Sequence, residues 1–152
     1  VAKRRPDLVA GLVGLAADPD FTEDLLWQQL SEETKEKIMD DGVHEIAWGD
    51  SQYTISRSLI EDGRDNLLLS GTEKLVVDCP IRLIHGMSDT EVPPETVFRI
   101  ADLATTPDVS ITLVKDGTHF LDSENDFKRM REAVREVVES YYEVDLSSPG
   151  SG

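Results

Sequence analysis

The 152-residue chain has one cysteine, three histidines and few basic residues. Fifteen lysines and arginines face thirty-one aspartates and glutamates, for a formal net charge of −16. Each scarcity excludes a class of function. A single thiol, Cys79, forms no internal disulfide, and with three scattered histidines it offers no ligand set at zinc spacing, so we expect a reducing compartment and no structural metal. A strongly acidic surface repels phosphate backbones and anionic headgroups, which argues against nucleic acid as a partner. No run approaches the roughly 20 apolar residues that span a bilayer. What remains is a chain with 39% apolar residues, long enough for one domain with a sizeable core.

The order of elements is more informative. "KRRPDLVAGLVGLAA" reads as the end of a helix, a turn at Pro6 and Asp7, and a buried strand from about Leu8 to Ala17. The character then changes. Between Asp20 and Asp50 stand ten acidic residues against two lysines, interspersed with Leu25, Leu26, Trp27, Leu30, Ile38 and Met39, an acidic insertion with its own apolar residues. Within it two helical stretches part at Ser31, an N-cap followed by Glu32 and Glu33, and the second stops at Gly42. Val43 to Trp48 reads as a short strand and Ile55 to Leu69 as a third helix.

A strand–helix rhythm follows: a strand from Ile81 to His85, a helix from Pro94 to Ala104, a strand from Val109 to Val114, and a long helix to about Val144. In that last helix Phe127, Met130, Ala133, Val134, Val137, Val138 and Tyr141 recur at spacings of three and four, one apolar face. The polar tail, residues 145–152, reads as disordered. Strands alternating with helices through short connections predict parallel strands and an α/β architecture, with function in the loops beyond the carboxyl ends of the strands.

Two of those loops carry chemistry. "HGMSDTEVPP" places Asp89 four residues past one strand, and "KDGTHFLDS" places His119 five residues past the next. Neighbouring strands lie about 5 Å apart, so an Asp and a His at adjacent strand ends can meet. The carboxylate then accepts from one imidazole nitrogen and leaves the other to take a proton from a nucleophile. Glu91, Asp116 and Asp122 compete with Asp89 for the acid's place, and a turn role in "SDTE" competes for Asp89 itself. His119 is not needed as a helix cap, because Ser123 with Glu124 and Asp126 behind it fills that position.

"LIHGMSDTEVPPE" and "VKDGTHF" resemble the acid and histidine loops of the α/β-hydrolase superfamily, whose chain order is nucleophile, acid, histidine. The acidic insertion sits where that family carries a cap, and the resemblance spans about residues 1 to 143. Within the superfamily the wording of "LVGLAADPDFTEDLLW", "CPIRLIHGMSDTEVP" and "FKRMREAVREVVE" is most similar to the palmitoyl-protein thioesterase and acyl-glucuronide esterase group and related bacterial hydrolases.

The resemblance implies the C-terminal half of an α/β-hydrolase fold: parallel strands with flanking helices and an inserted, mostly helical cap. Residues 1–17 are then a core strand segment, 18–75 the cap, and 76–144 the core segment with the acid and histidine loops. Asp89 and His119 are implied as catalytic acid and base, with no cofactor. Leu26, Trp27, Met39 and Trp48 are candidates to line an acyl pocket from the cap side, the cap's own core being an equal alternative. His85 is expected to support the acid loop through a hydrogen bond, His44 to be a surface or packing residue, and Cys79 a small apolar filler. Arg57 and Arg64 are the cap's only arginines and the candidates to offset an anionic substrate such as a glucuronide.

One departure stands out. No G-x-S-x-G elbow occurs; "GDSQY" has Tyr53 where the second glycine belongs, so Ser51 is not the nucleophile. The expectation is a serine-type ester or thioester hydrolase acting on a small acyl substrate, with its nucleophile upstream of Val1 and these 152 residues inactive alone. It is placed in the cytoplasm, or in mitochondria for a eukaryotic member of the thioesterase group. A non-catalytic binding protein and a dehalogenase-type hydrolase on the same fold stay open.

Overall fold

The computed structural model describes residues 1–2, 4–48, 51–70 and 74–147, with the side chains of residues 48, 51 and 143–147 outside the description. The expected disordered tail therefore lies mostly outside the described residues, and its first three positions belong to the last helix. The chain forms two compact units, one of residues 1–18 and 72–152, the other of residues 19–71.

The first unit is built on a parallel sheet of β1 (Leu12–Leu15), β4 (Ile81–Gly86) and β5 (Val109–Val114), with β4 in the middle. Leu12 pairs with Ile81 and Leu15 with Ile84, while Ile81 pairs with Val109 and Gly86 with Val114. β4 is buried along nearly its whole length, which explains its unbroken Ile-Arg-Leu-Ile-His run. β1 is shorter than expected, because Pro6–Leu8 forms a single 3₁₀ turn and the extended run starts only at Leu12. Helix α3 (Glu95–Leu103) packs against β5, and α4 (Glu124–Ser147) against β1 and β4. Ile84, Leu121 and Ala133 form the core beneath α4, joined by Val13, Val114 and Met130. The apolar stripe of α4 is only half used. Ala133 and Val137 are buried, whereas Phe127, Val134, Val138 and Tyr141 are exposed. The buried line is therefore narrower than the periodicity of the whole stripe suggests.

The second unit contains a helical turn with i→i+5 bonding at Thr22–Trp27, α1 (Glu32–Asp41), β2 (Val43–Trp48), β3 (Ser51–Ser56) and α2 (Arg57–Asp65). Ser31 caps α1 by accepting from the Thr34 amide, and Gly42 ends it at φ 82°, a left-handed conformation that suits glycine. The third helix starts two residues later than expected: Ile55 belongs to β3, which pairs antiparallel with β2, and Ser56 caps α2 by accepting from the Leu59 amide. The insertion is thus mostly helical, as expected, with a β2–β3 hairpin set between its helices. Leu26, Ile38, Ile46, Ile55 and Ile60 make its core.

The two ends of this unit are tied by a buried carboxylate. Asp20 is fully buried, and its Oδ1 and Oδ2 accept the amides of Leu68 and Leu69, each at 2.7 Å. Both tryptophans of the chain, Trp27 and Trp48, lie in this unit, so their fluorescence reports on it alone. Asp20→Ala leaves two amides without this acceptor and lowers the unit's stability by about 2–4 kcal/mol in denaturant unfolding followed by tryptophan fluorescence. An unchanged midpoint would show that Asp20 does not hold the two ends together.

Candidate active site

β4 and β5 end side by side, since Gly86 pairs with Val114. The ladder extends into the loops: Met87 N–H donates to the Val114 carbonyl at 2.8 Å and Ser88 N–H to the Gly117 carbonyl at 2.9 Å. Two glycines make this approach possible. A Cβ on Gly86 would lie 2.2 Å from the Gly117 oxygen, and one on Gly117 would lie 3.1 Å from the Gly86 Cα. Any side chain at 86 would push the two loops apart.

The loops bring Asp89 and His119 together. The Asp89 side chain is fully buried, and its Oδ1 accepts the amides of Glu91 at 2.8 Å and Val92 at 2.9 Å. Its Oδ2 lies 3.1 Å from His119 Nδ1. A carboxylate only accepts, so Nδ1 carries the proton, and in the neutral ring Nε2 holds the lone pair. Burial pushes the Asp89 carboxyl upward, but the Val92 and Glu91 amides and the His119 imidazole outweigh it and hold the group below its ordinary 3.8.

His119 is 30% exposed, and among the described residues no hydrogen bond reaches its Nε2; the Glu91 carboxylate is the charged group it faces, at 3.9 Å. Of the competing acids, Asp116 and Asp122 are exposed at the surface. Two residues after the histidine, Leu121 takes φ 45°, uncommon for a branched side chain, and is 1% exposed in the α4 core. That buried reversal separates His119 from the α4 cap, where Ser123 Oγ accepts the Asp126 amide.

A buried, multiply bonded carboxylate holding an imidazole at the end of a parallel sheet suits proton transfer. No family model matches the chain. It is similar to the palmitoyl-protein thioesterase ABHD10, mitochondrial, of Bos taurus, 32% identical over 140 residues, covering 89% of this chain and 44% of that protein. A protein of known structure from Agrobacterium vitis S4, assigned as a hydrolase, superposes with a TM-score of 0.76 at 32% identity over 84% of this chain and 49% of that one. Mouse α/β hydrolase domain-containing protein 10 gives 0.74 at 26% identity over 91% and 56%. The chain belongs to the α/β-hydrolase superfamily. It spans less than half the length of the curated relatives it matches.

The candidate pocket residues of this α/β-hydrolase chain all belong to the unit of residues 19–71, whereas Asp89 and His119 belong to the other. Leu26 is buried in the core of its own unit, with Trp27 packed on that core. The Arg64 guanidinium lies 4.5 Å from the Trp27 ring centroid and pairs with Glu23, while Arg57 donates to the Met39 carbonyl at 2.7 Å. Both arginines are thus engaged within their unit. Met39 is half-buried, and the side chains of Trp48 and Ser51 lie outside the described ones. Cys79 is half-buried, and burial raises its thiol. Among the described residues no cluster of His, Cys, Asp and Glu is arranged to hold a metal ion, and no helix is long and apolar enough to cross a membrane.

The lowered Asp89 carboxyl has a consequence for stability. A group depressed in the folded state contributes stability that is complete above its unfolded value and is lost as the pH falls through the folded one. The stability gap between the protein and Asp89→Asn is therefore full near pH 7 and shrinks once the pH drops below the ordinary 3.8. Denaturant unfolding at pH 7, 5 and 3, followed by circular dichroism, measures it; a gap that grew in acid would contradict the assignment.

Proposed function

We propose that these residues supply the acid, the base and the cap of a serine-type hydrolase of carboxylic esters or thioesters. The nucleophile and oxyanion hole come from a segment outside them. The observation that supports this reading most is the 3.1 Å bond from His119 Nδ1 to the buried Asp89 carboxylate, which leaves Nε2 as the available base. The absence of a G-x-S-x-G elbow from the 152 residues, and the greater length of the relatives, agree with a nucleophile supplied from elsewhere.

In this mechanism a serine hydroxyl attacks the acyl carbonyl while Nε2 takes its proton. Asp89 fixes the ring's tautomer and stabilises the imidazolium that forms. The same Nε2–H then protonates the departing thiolate or alkoxide, and a water deprotonated by Nε2 releases the acid. Asp89 suits its part because two amides already hold its Oδ1 and its charge persists at neutral pH. An acyl thioester is favoured as substrate by the resemblance to the palmitoyl-protein thioesterase of Bos taurus. The compartment follows the same resemblance: mitochondrial in a eukaryote, cytoplasmic otherwise.

The test is acyl-thioester hydrolysis by the intact protein. His119→Ala is expected to lower kcat/KM by about 10²–10⁴-fold, the ordinary contribution of a general base. A fluorophosphonate probe is expected to label the intact protein and not the 152 residues alone. Failure to label the intact protein would overturn the serine mechanism and favour an aspartate nucleophile or a binding role.

A further inference from the structure

His85, the penultimate residue of β4, is fully buried. A polar ring taken out of water costs free energy unless its nitrogens are met, so its presence at the centre of the sheet calls for a reason. Its Nε2 lies 3.0 Å from the Val92 carbonyl oxygen. A carbonyl only accepts, so Nε2 carries the proton. The same N–H lies 3.4 Å from Asp89 Oδ2, the oxygen that His119 uses. Nδ1 is buried without a partner among the described residues, which a bare lone pair tolerates better than a second N–H would.

These contacts close a ring around the acid loop. The Val92 amide bonds Asp89 Oδ1, and the Val92 carbonyl accepts from His85. The Val92 residue is thereby held on both its polar groups, one by the carboxylate and the other by the strand beneath it. Asp89 in turn has two amides on Oδ1 and two imidazoles around Oδ2. An apolar side chain at position 85 would fill the same space yet leave the Val92 carbonyl buried and unmet, freeing the loop to turn the carboxylate.

We propose that His85 is a positioning residue. Its Nε2–H ties the Val92 carbonyl and Asp89 Oδ2 to the end of β4, and so fixes the carboxylate oxygen to which His119 donates. The catalytic importance of this role rests on the hydrolase reading above, but the hydrogen bonding does not.

Nitrogen-15 NMR of the imidazoles tests the hydrogen bonding without turnover. In the unmodified protein His85 is expected as the Nε2–H tautomer with a bare Nδ1; the opposite tautomer would overturn the proposal whatever the variants do. His85→Leu keeps the volume and loses the donor, whereas the amide of His85→Gln can reach the place of Nε2. Solvent exchange of the His119 Nδ1 proton is expected to accelerate about tenfold in His85→Leu, the loss of roughly one hydrogen bond's worth of order, and to stay near the unmodified rate in His85→Gln. Equal rates in the two variants would reduce His85 to packing. In the intact protein the same pair is expected to separate in kcat with KM unchanged. Loss of activity in neither His119→Ala nor Asp89→Asn would overturn the hydrolase reading and leave the NMR result standing by itself.

Discussion

A carboxylate without water must be met by donors, and the carboxyl end of this sheet is arranged to meet Asp89. Two backbone amides hold one oxygen and two imidazoles surround the other. Everything nearby serves that coordination. The paired ends of β4 and β5 set the level, and the contact of Gly86 with Gly117 sets the separation of the loops. The buried reversal at Leu121 brings the chain back into the core immediately after His119, so the imidazole stays at the surface of the site while its neighbour anchors it.

The chain contains a second fully buried aspartate side chain, and the comparison shows what sets the surroundings of Asp89 apart. Asp20 spends one amide on each oxygen, and its work is to join the two ends of its unit. Asp89 receives both of its amides on Oδ1, so Oδ2 remains to orient an imidazole. The same residue type, its side chain equally buried, becomes a clasp in one place and a partner for an imidazole in the other. The difference lies in where the N–H groups come from: the turn that follows Asp89 puts both on one oxygen, whereas Leu68 and Leu69, far along the chain, give Asp20 one on each.

Much of this was legible in the sequence because the elements concerned are locally consistent. β5 runs from Val109 to Val114 as its β-branched pattern requires, and Ser31 and Gly42 bound α1 as capping chemistry dictates. The meeting of Asp89 with His119 followed from adjacent strand ends together with the family's loop wording. Other features had no local signal. Ile55 reads as helical because it sits at helical spacing from Leu59, and only the cap at Ser56 shows where the helix starts; the strand before it depends on pairing with β2. The positive φ of Leu121 is imposed by burial, and nothing in a leucine announces it. Leu26 belongs to a core assembled from five elements of its unit, a neighbourhood that periodicity cannot distinguish from a pocket wall.

The most direct test of the central claim is a double-mutant cycle on stability at pH 7, combining Asp89→Asn with His119→Gln. If the buried carboxylate and the imidazole act as one charge-assisted unit, the two substitutions couple by about 1–2 kcal/mol. Additive effects, with coupling near zero, would mean that the 3.1 Å contact carries no energy, and the assignment of acid and base would fall with it.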